Sequence, residues 1–219
     1  MVAASNYHAV RFRFDPRRRS VWKAIARYVQ PWIVEQEGLL ELGAGYGEFT
    51  REIRAARKWA LDLNPELTRY WDPSIRPVIQ SALEPLPFPD AALANVTASN
   101  FFEHFTIEQG SSILAEAYRA LRPGGRLIAI QPNFRLQPRR YFDDYTHRTV
   151  FTDTGFQDFL QALGWKVVHC EPRFLPFSMK SRLPTAEWLV RAYLSLPFRP
   201  FAGQFLVIAE KPETRCPGG

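Results

Sequence analysis

The sequence predicts a doubly wound α/β fold, a mostly parallel seven-stranded sheet with helices on both faces. Three observations carry this reading. Seven short apolar runs alternate with helical segments from Gly38 onward, and a glycine-rich bend follows the first run. The 219 residues suit one domain with an elaboration, since a domain takes about 150 residues. A chain 46% hydrophobic and 23% charged has the balance of a soluble globular protein with a sizeable core, which excludes disordered and fibrous classes.

Residues 1–14 read as a mobile or loosely docked arm. Asp15 and Pro16 then open a helix as N-cap and first-turn proline, and Val21, Trp22, Ile25, Tyr28 and Val29 recur at helical spacing. Pro31 bends or restarts this helix and Gly38 ends it, so residues 1–37 form an N-terminal arm and helix ahead of a main domain at 38–219. The predicted strands are 39–42, 59–63, 77–79, 91–98, 127–130, 165–169 and 205–209. The predicted helices are 48–57, then 106–121 with Thr106 and Gln109 as a capping box, then 152–163 closed by Gly164. Two stretches break the rhythm. One is 133–150, polar and aromatic; the other is the insertion 172–201, punctuated by Pro172, Pro176, Pro184, Pro197 and Pro200 around a helix near 185–196. Loops this long inside a compact domain are usually functional, and both are read as walls or lid of a substrate site.

No apolar stretch approaches the roughly 18 residues of a membrane span, and the first residues lack the apolar core of a signal peptide, so a cytoplasmic protein is expected. Cys170 and Cys216 lack metal-ligand spacing, so neither a disulfide framework nor a metal site is expected. The net charge is +6, with basic clusters at Arg17, Arg18 and Arg19, at Arg51, Arg54, Arg57 and Lys58, and at Arg135, Arg139 and Arg140. No helix-turn-helix, RNP-type or zinc pattern accompanies them. The charge is therefore read first as solvated surface, compatible with an anionic metabolite or acidic membrane, and it is the missing recognition patterns that argue against nucleic acid as the partner.

The chemistry concentrates in Leu39-Leu40-Glu41-Leu42-Gly43-Ala44-Gly45-Tyr46-Gly47-Glu48-Phe49. A strand runs into a glycine turn that opens a helix, which lets backbone approach a ligand at the carboxyl end of the sheet. The spacing is G-x-G-x-G, not the G-x-G-x-x-G of pyrophosphate binders. Glu41 stands before the first glycine, where a carboxylate repels pyrophosphate and attracts an ammonium or sulfonium. Asp62, in Leu61-Asp62-Leu63-Asn64-Pro65 at the tip of the second strand, is placed to accept both hydroxyls of a ribose.

With these motifs the chain resembles the class I S-adenosylmethionine-dependent methyltransferases over residues 38–163. The resemblance also uses Leu86-Pro87-Phe88-Pro89-Asp90, Ser99-Asn100-Phe101-Phe102-Glu103-His104 and Leu121-Arg122-Pro123-Gly124-Gly125. It implies a Rossmann-like methyltransferase fold and S-adenosylmethionine as cofactor. Gly43, Ala44, Gly45 and Gly47 then line the methionine portion, Glu41 helps orient its ammonium, and Asp62 with Leu63 holds the ribose. Ser81 and Ala82 take the adenine side, where many relatives carry an Asp, and Asn100 faces cofactor or acceptor. The Pro-Gly-Gly turn is expected to reverse the chain into the fifth strand. A narrower resemblance covers the whole chain. Arg17-Arg18-Arg19, the glycine loop, Gln131-Pro132-Asn133, Arg173-Phe174-Leu175-Pro176-Phe177 and Lys180-Ser181-Arg182-Leu183-Pro184 are similar to bacterial methyltransferases that accompany glycan-building glycosyltransferases. It implies a small-molecule or glycan-type acceptor, nucleotide- or lipid-linked.

A sugar hydroxyl acceptor profits from a general base, and His147 is the candidate, with Asp143, Asp144 and Tyr145 to orient it. His104, Asn133, Arg135, Tyr145 and Arg148 are the acceptor-side candidates. The plainer alternatives are a loop cap for His147, packing for His104, a turn for Asn133 and a solvated face for the arginines. Residues 174–201 mix aromatics with cations, which describes either a peripheral contact with the inner face of a membrane or a lid or dimer contact over the sheet edge. The rivals to methyl transfer on a small acceptor are an RNA methyltransferase, a nucleotide-binding dehydrogenase or epimerase, and a non-catalytic scaffold with the same fold.

Overall fold

In the computed structural model, which describes residues 14–176 and 185–213, the strands are β1 (Gly38–Leu42), β2 (Arg57–Asp62), β3 (Ile75–Ile79), β4 (Leu93–Ser99), β5 (Leu121–Pro132), β6 (Lys166–Glu171) and β7 (Gln204–Glu210). They form one sheet in the order β3-β2-β1-β4-β5-β7-β6. Neighbours from β3 through β5 pair in parallel; β7 runs antiparallel to both β5 and β6. The helices are α1 (Arg18–Val29), α2 (Glu48–Glu52), α3 (Ile107–Ala120), α4 (Asp153–Ala162) and α5 (Glu187–Leu194).

Alternation along the strands builds two apolar layers, one on each face of the sheet. Leu40, Leu42, Leu127, Ala129, Phe205 and Val207 pack with Ile113, Leu114, Phe156 and Leu160 of α3 and α4. Leu39, Ile128, Ile130, Leu206 and Ile208 pack with Ile25 and Val29 of α1, Phe49 of α2 and Leu194 of α5. Both faces are thus covered, as parallel sheets require.

Several predicted elements change in detail. The helix expected at 48–57 stops at Glu52, because Ile53 is extended (φ −73°, ψ 140°) and the Gln30 side chain clamps the Arg54 backbone through both its N–H and its carbonyl. The first helix starts at Arg18, with Arg17 and not Asp15 at its N-cap position. Asp15 instead holds the preceding turn, its carboxylate accepting from Arg17 N and its carbonyl from Arg18 N. The Pro-Gly-Gly segment lies at the passage from α3 into β5, at a register break between the Leu93–Leu121 and Asn95–Arg126 pairings, with Gly124 at φ +72°. There Gly124 N–H donates to Lys211 while the Gly125 carbonyl accepts from it. The capping box forms as expected, and Thr152 caps α4 through Gly155 N.

The basic clusters are largely paired with acids. Arg18 meets Glu48 at 3.4 Å, Arg19 meets Glu52 at 3.0 Å and Arg54 meets Glu35 at 2.6 Å. Among the described residues no helix is long and apolar enough to cross a membrane. Of the segment expected to wall the site or touch a membrane, Phe177, Met179 and the Lys180-Ser181-Arg182-Leu183-Pro184 motif lie outside the described residues, as do the arm at 1–13 and Cys216. Trp188, Phe198 and Phe201 are exposed, whereas Phe174 and Leu194 are buried.

The buried Arg199 ties this insertion down. Its guanidinium pairs with Glu171 and donates to Tyr28 Oη (2.8 Å) and the carbonyls of Leu194 (2.6 Å) and Arg173 (3.1 Å). Arg199→Ala leaves the part-buried Glu171 without its cation and the Leu194 and Arg173 carbonyls without this donor, and is expected to cost about 2–3 kcal/mol of stability, measured by denaturant unfolding. A cost below about 1 kcal/mol would show the network to be dispensable.

Candidate functional site

The chain leaves β1 at Leu42 and bends through 43–47 into α2. Gly43 and Gly47 have φ of +63° and +68°, and each receives a ring of the protein's own. A Cβ on Gly43 would lie 2.4 Å from Phe101 Cδ2, and one on Gly47 would lie 2.6 Å from Trp71 Cδ1. Two tertiary bonds fix the bend: Ala44 N–H donates to the Leu61 carbonyl (3.0 Å) and Trp71 Nε1 to the Gly45 carbonyl (2.8 Å). Asp62, buried at the end of β2, accepts from Gly45 N through Oδ2 (2.9 Å) and from Asn64 N through Oδ1 (3.0 Å). Each oxygen keeps lone-pair capacity after these bonds, which is what a vicinal diol needs.

Glu41 lies buried beneath the bend, where its Oε2 accepts from Thr50 N (3.1 Å) and from the Thr50 hydroxyl. Burial pushes its carboxyl up to about 8, against the pull of the Thr50 donors, and the Asp62 carboxylate adds to the rise. An acid whose folded pKa is raised gives up stability as pH climbs from its unfolded value toward its folded one. Glu41→Gln removes this term. Without ligand, the variant is therefore expected to gain in melting temperature relative to the parent between about pH 5 and about pH 8. A difference constant across that range contradicts the assignment.

Leu63, after β2, and Ile79, paired with Asp62 at the end of β3, expose apolar side chains, as does Leu83 on the loop that follows β3. Ser81 Oγ accepts from Leu83 N (3.2 Å), and Ala82 is buried in the core.

The acceptor-side candidates separate into two groups. Asn133 belongs to the frame and is not on the site surface: it is fully buried, its amide donates to Asp153 Oδ1 and the Pro172 carbonyl (both 3.0 Å), and its oxygen accepts from Arg135 N. Arg135 reaches Thr154 Oγ1 (2.7 Å), so the pair braces the start of α4. Asn100 has φ +48° and accepts from Gln204 Nε2 (2.6 Å). Tyr145 and Arg148 are exposed on the loop after β5.

That loop docks on the turn after β4, where Arg148 N and Thr149 N both donate to the Glu103 carbonyl (2.7 and 3.2 Å). His104 and His147 meet there ring to ring at 5.2 Å. Both Nε2 atoms stand 3.9 Å from Glu103 Oε1; the side chains are 26% exposed for His104, 5% for His147 and 0% for Glu103. Burial pushes the Glu103 carboxyl up to about 8 and the His104 imidazole down to about 4. His147, expected as an open base, thus lies mostly enclosed against Glu103 and the Tyr141 ring (4.8 Å).

Residues 40–129 match the family model described as a methyltransferase domain. The chain is 25% identical to a ubiquinone/menaquinone biosynthesis C-methyltransferase, UbiE, of Burkholderia mallei, over 67% of this chain and 64% of that protein. The matched stretch thus spans about two thirds of each chain. Among solved structures, a SAM-dependent methyltransferase from Archaeoglobus fulgidus superposes with TM-score 0.69 at 21% identity, covering 94% of this chain and 98% of the other. Geranyl diphosphate C-methyltransferase from Streptomyces coelicolor, solved with Mg2+, geranyl diphosphate and S-adenosyl-L-homocysteine, superposes with TM-score 0.62 at 15% identity, covering 86% and 77%. These likenesses establish the fold as that of SAM-dependent methyltransferases.

Sequence reasoning left Thr50, Trp71, Glu103 and Gln131 without a role. Trp71 and Thr50 act through contacts far along the chain, to Gly45 and Glu41. Gln131 is buried at the carboxyl end of β5, and neither polar atom of its side chain has a hydrogen-bond partner among the described residues. Glu103 had a signal, since it adjoins His104 in a quoted motif, but its approach to His147 is a tertiary fact.

Proposed function

We propose that the protein transfers a methyl group from S-adenosylmethionine to a small-molecule or glycan-type acceptor, a nucleotide- or lipid-linked sugar being the class the residues suit best. The observation that carries the donor assignment is the Asp62 carboxylate bonded to Gly45 N at the mouth of the glycine bend. When bound, the donor supplies a methyl group on a sulfonium, open to in-line displacement by an acceptor nucleophile. Gly43, Ala44, Gly45 and Gly47 line its amino-acid end, and Glu41 lies beneath, where a bound cationic group favours its ionised form and pulls its raised pKa back down. Asp62 accepts the ribose hydroxyls. Leu63, Ile79 and Leu83 offer an apolar bed for the adenine, with Ser81 and Ala82 at its edge and Asn100 toward the reacting end. Positioning and exclusion of water are then the chain's main contribution.

On the acceptor side, Arg135, Arg148 and Tyr145 with the exposed Arg139 and Arg140 suit a phosphate-bearing group. The exposed Trp188, Phe198 and Phe201, with Arg173 over the Phe198 ring at 4.7 Å, suit an interfacial rest beside a lipid-linked acceptor.

The test incubates purified protein with methyl-labelled S-adenosylmethionine and four acceptor pools: nucleotide sugars, polyprenyl-linked glycans, demethylated quinones and RNA. Label entering a sugar pool, and lost in Asp62→Asn, supports the proposal. Label entering only the quinones or only RNA overturns the acceptor assignment, and no transfer to any pool favours the scaffold reading.

A further inference from the structure

We propose that Glu103, His104 and His147 form a binding site for one divalent cation, on the acceptor side of the glycine bend. The inference deepens the methyl-transfer reading, but binding of the ion can be measured without donor or acceptor.

The geometry argues first. The three ligand atoms lie within 4.8 Å of one another, and each imidazole Nε2 stands 3.9 Å from the same Glu103 oxygen. That is beyond the roughly 3.2 Å limit of a hydrogen bond. Ligands about 2.1 Å from a shared ion are separated by roughly 3 to 4 Å, so the spacing leaves room for a cation between them.

The second argument is the state of Glu103. It is 0% exposed, and neither carboxylate oxygen receives a hydrogen bond from another described residue. A buried carboxylate left in that condition is costly, and nature retains such groups where they are paired or ligate a metal. The Nε2 atoms of both imidazoles stand 3.9 Å from its Oε1.

The third argument is that the ligands are held in place from outside. Thr146 Oγ1, which donates to Asp144 (2.6 Å), lies 2.9 Å from His104 Nδ1 and so aims the opposite nitrogen at Glu103. The main chain of 148–149 bonds to the Glu103 carbonyl, fixing the loop that carries His147. Such outer partners are the usual companions of metal-bound histidine. The absence of cysteine spacing, which led the sequence reading to expect no metal, does not bear on a site built from two histidines and a glutamate.

Two imidazoles and one carboxylate favour Zn2+, Mn2+, Fe2+, Co2+ or Ni2+ over Ca2+. Three protein ligands leave positions open, and His104 is the accessible edge. An acceptor hydroxyl seated there loses its proton to water more readily, as metal-bound oxygens do. Its oxygen forms the new bond to the donor methyl while the carbon–sulfur bond breaks, and that electron pair remains on sulfur as a thioether.

The experiment is a Co2+ titration of untagged, chelator-treated full-length protein, read by visible absorption and by metal analysis after dialysis. One equivalent is expected, with ligand-field bands of a nitrogen and oxygen donor set. Glu103→Gln, His104→Ala and His147→Ala should each weaken binding at least about tenfold. His169→Ala, in the separate pair with Glu171, should not. Melting temperatures of the variants without metal report whether each folds, and Zn2+ should raise that of the parent far more than that of any folded ligand variant. Stoichiometry near zero in the parent, or equal affinity across parent and folded ligand variants, overturns the site. Binding of S-adenosylhomocysteine is scored separately, so a failed metal site and a failed donor site are distinguishable.

Discussion

Gly43→Ala is expected to destabilise the protein by about 2–5 kcal/mol and to abolish donor binding. The left-handed backbone at this position costs a residue with a Cβ about 1–2 kcal/mol. Overpacking adds about 1–3 kcal/mol, because the new carbon would fall 2.4 Å from Phe101 Cδ2. Phe101 has little freedom to yield: it is buried, with the rings of Phe102 and Phe105 at 5.2 and 4.8 Å. Denaturant unfolding measures the loss. A second change, Phe101→Leu, should recover the packing part and leave the backbone part, so rescue is partial. A Gly43→Ala variant as stable as the parent contradicts this account of the bend.

Asp62→Ala is the other change with a large expected effect, and it acts on fold and function together. The carboxylate bonds Gly45 N and Asn64 N, and hydrogen bonds to a charged group contribute about 1.5–3 kcal/mol each. The bend therefore loses one of its two tethers to β2 and keeps the Ala44 N–H bond to the Leu61 carbonyl. Asp62→Asn keeps the shape and part of the bonding, so it isolates the ligand term. With both ribose hydroxyls received by one carboxylate, the Asn variant should bind S-adenosylhomocysteine at least about 100-fold more weakly, roughly 2.7 kcal/mol. A 2′-deoxy analogue of that ligand should lose affinity for the parent and little further for Asp62→Asn. Equal losses in both proteins would remove the ribose contact from Asp62.

Much of this was legible in the sequence because it is local. The near-continuous apolar runs at 39–42, 127–130 and 205–209 encode strands with two buried faces, and the glycine bend and Asp62 are short local patterns. Where the reading went astray, the deciding contact is distant in the chain. Residues 48–57 hold good helix formers, yet the helix ends early because Gln30 takes both hydrogen-bonding groups of Arg54. Pro123-Gly124-Gly125 lies where the chain passes from α3 into β5, and its pairing with Lys211 inside the sheet is a contact the local pattern does not carry. Asn133 sits at a strand end where a ligand contact is expected, and Asp153 and Pro172 occupy its amide instead. The Glu103, His104 and His147 cluster was half visible, as two adjacent residues and one remote histidine; only the docking of the loop after β5 joins them.

The central claim is a pocket for an adenosyl sulfonium donor between the glycine bend and Asp62, and calorimetric binding of S-adenosylhomocysteine to the intact protein tests it most directly. The account predicts saturable one-to-one binding and a rise in melting temperature, equivalent to about 2.7 kcal/mol at 100 times the dissociation constant, with no response to NAD. A protein that binds NAD there, or that ignores S-adenosylhomocysteine at millimolar concentration while folded, contradicts it.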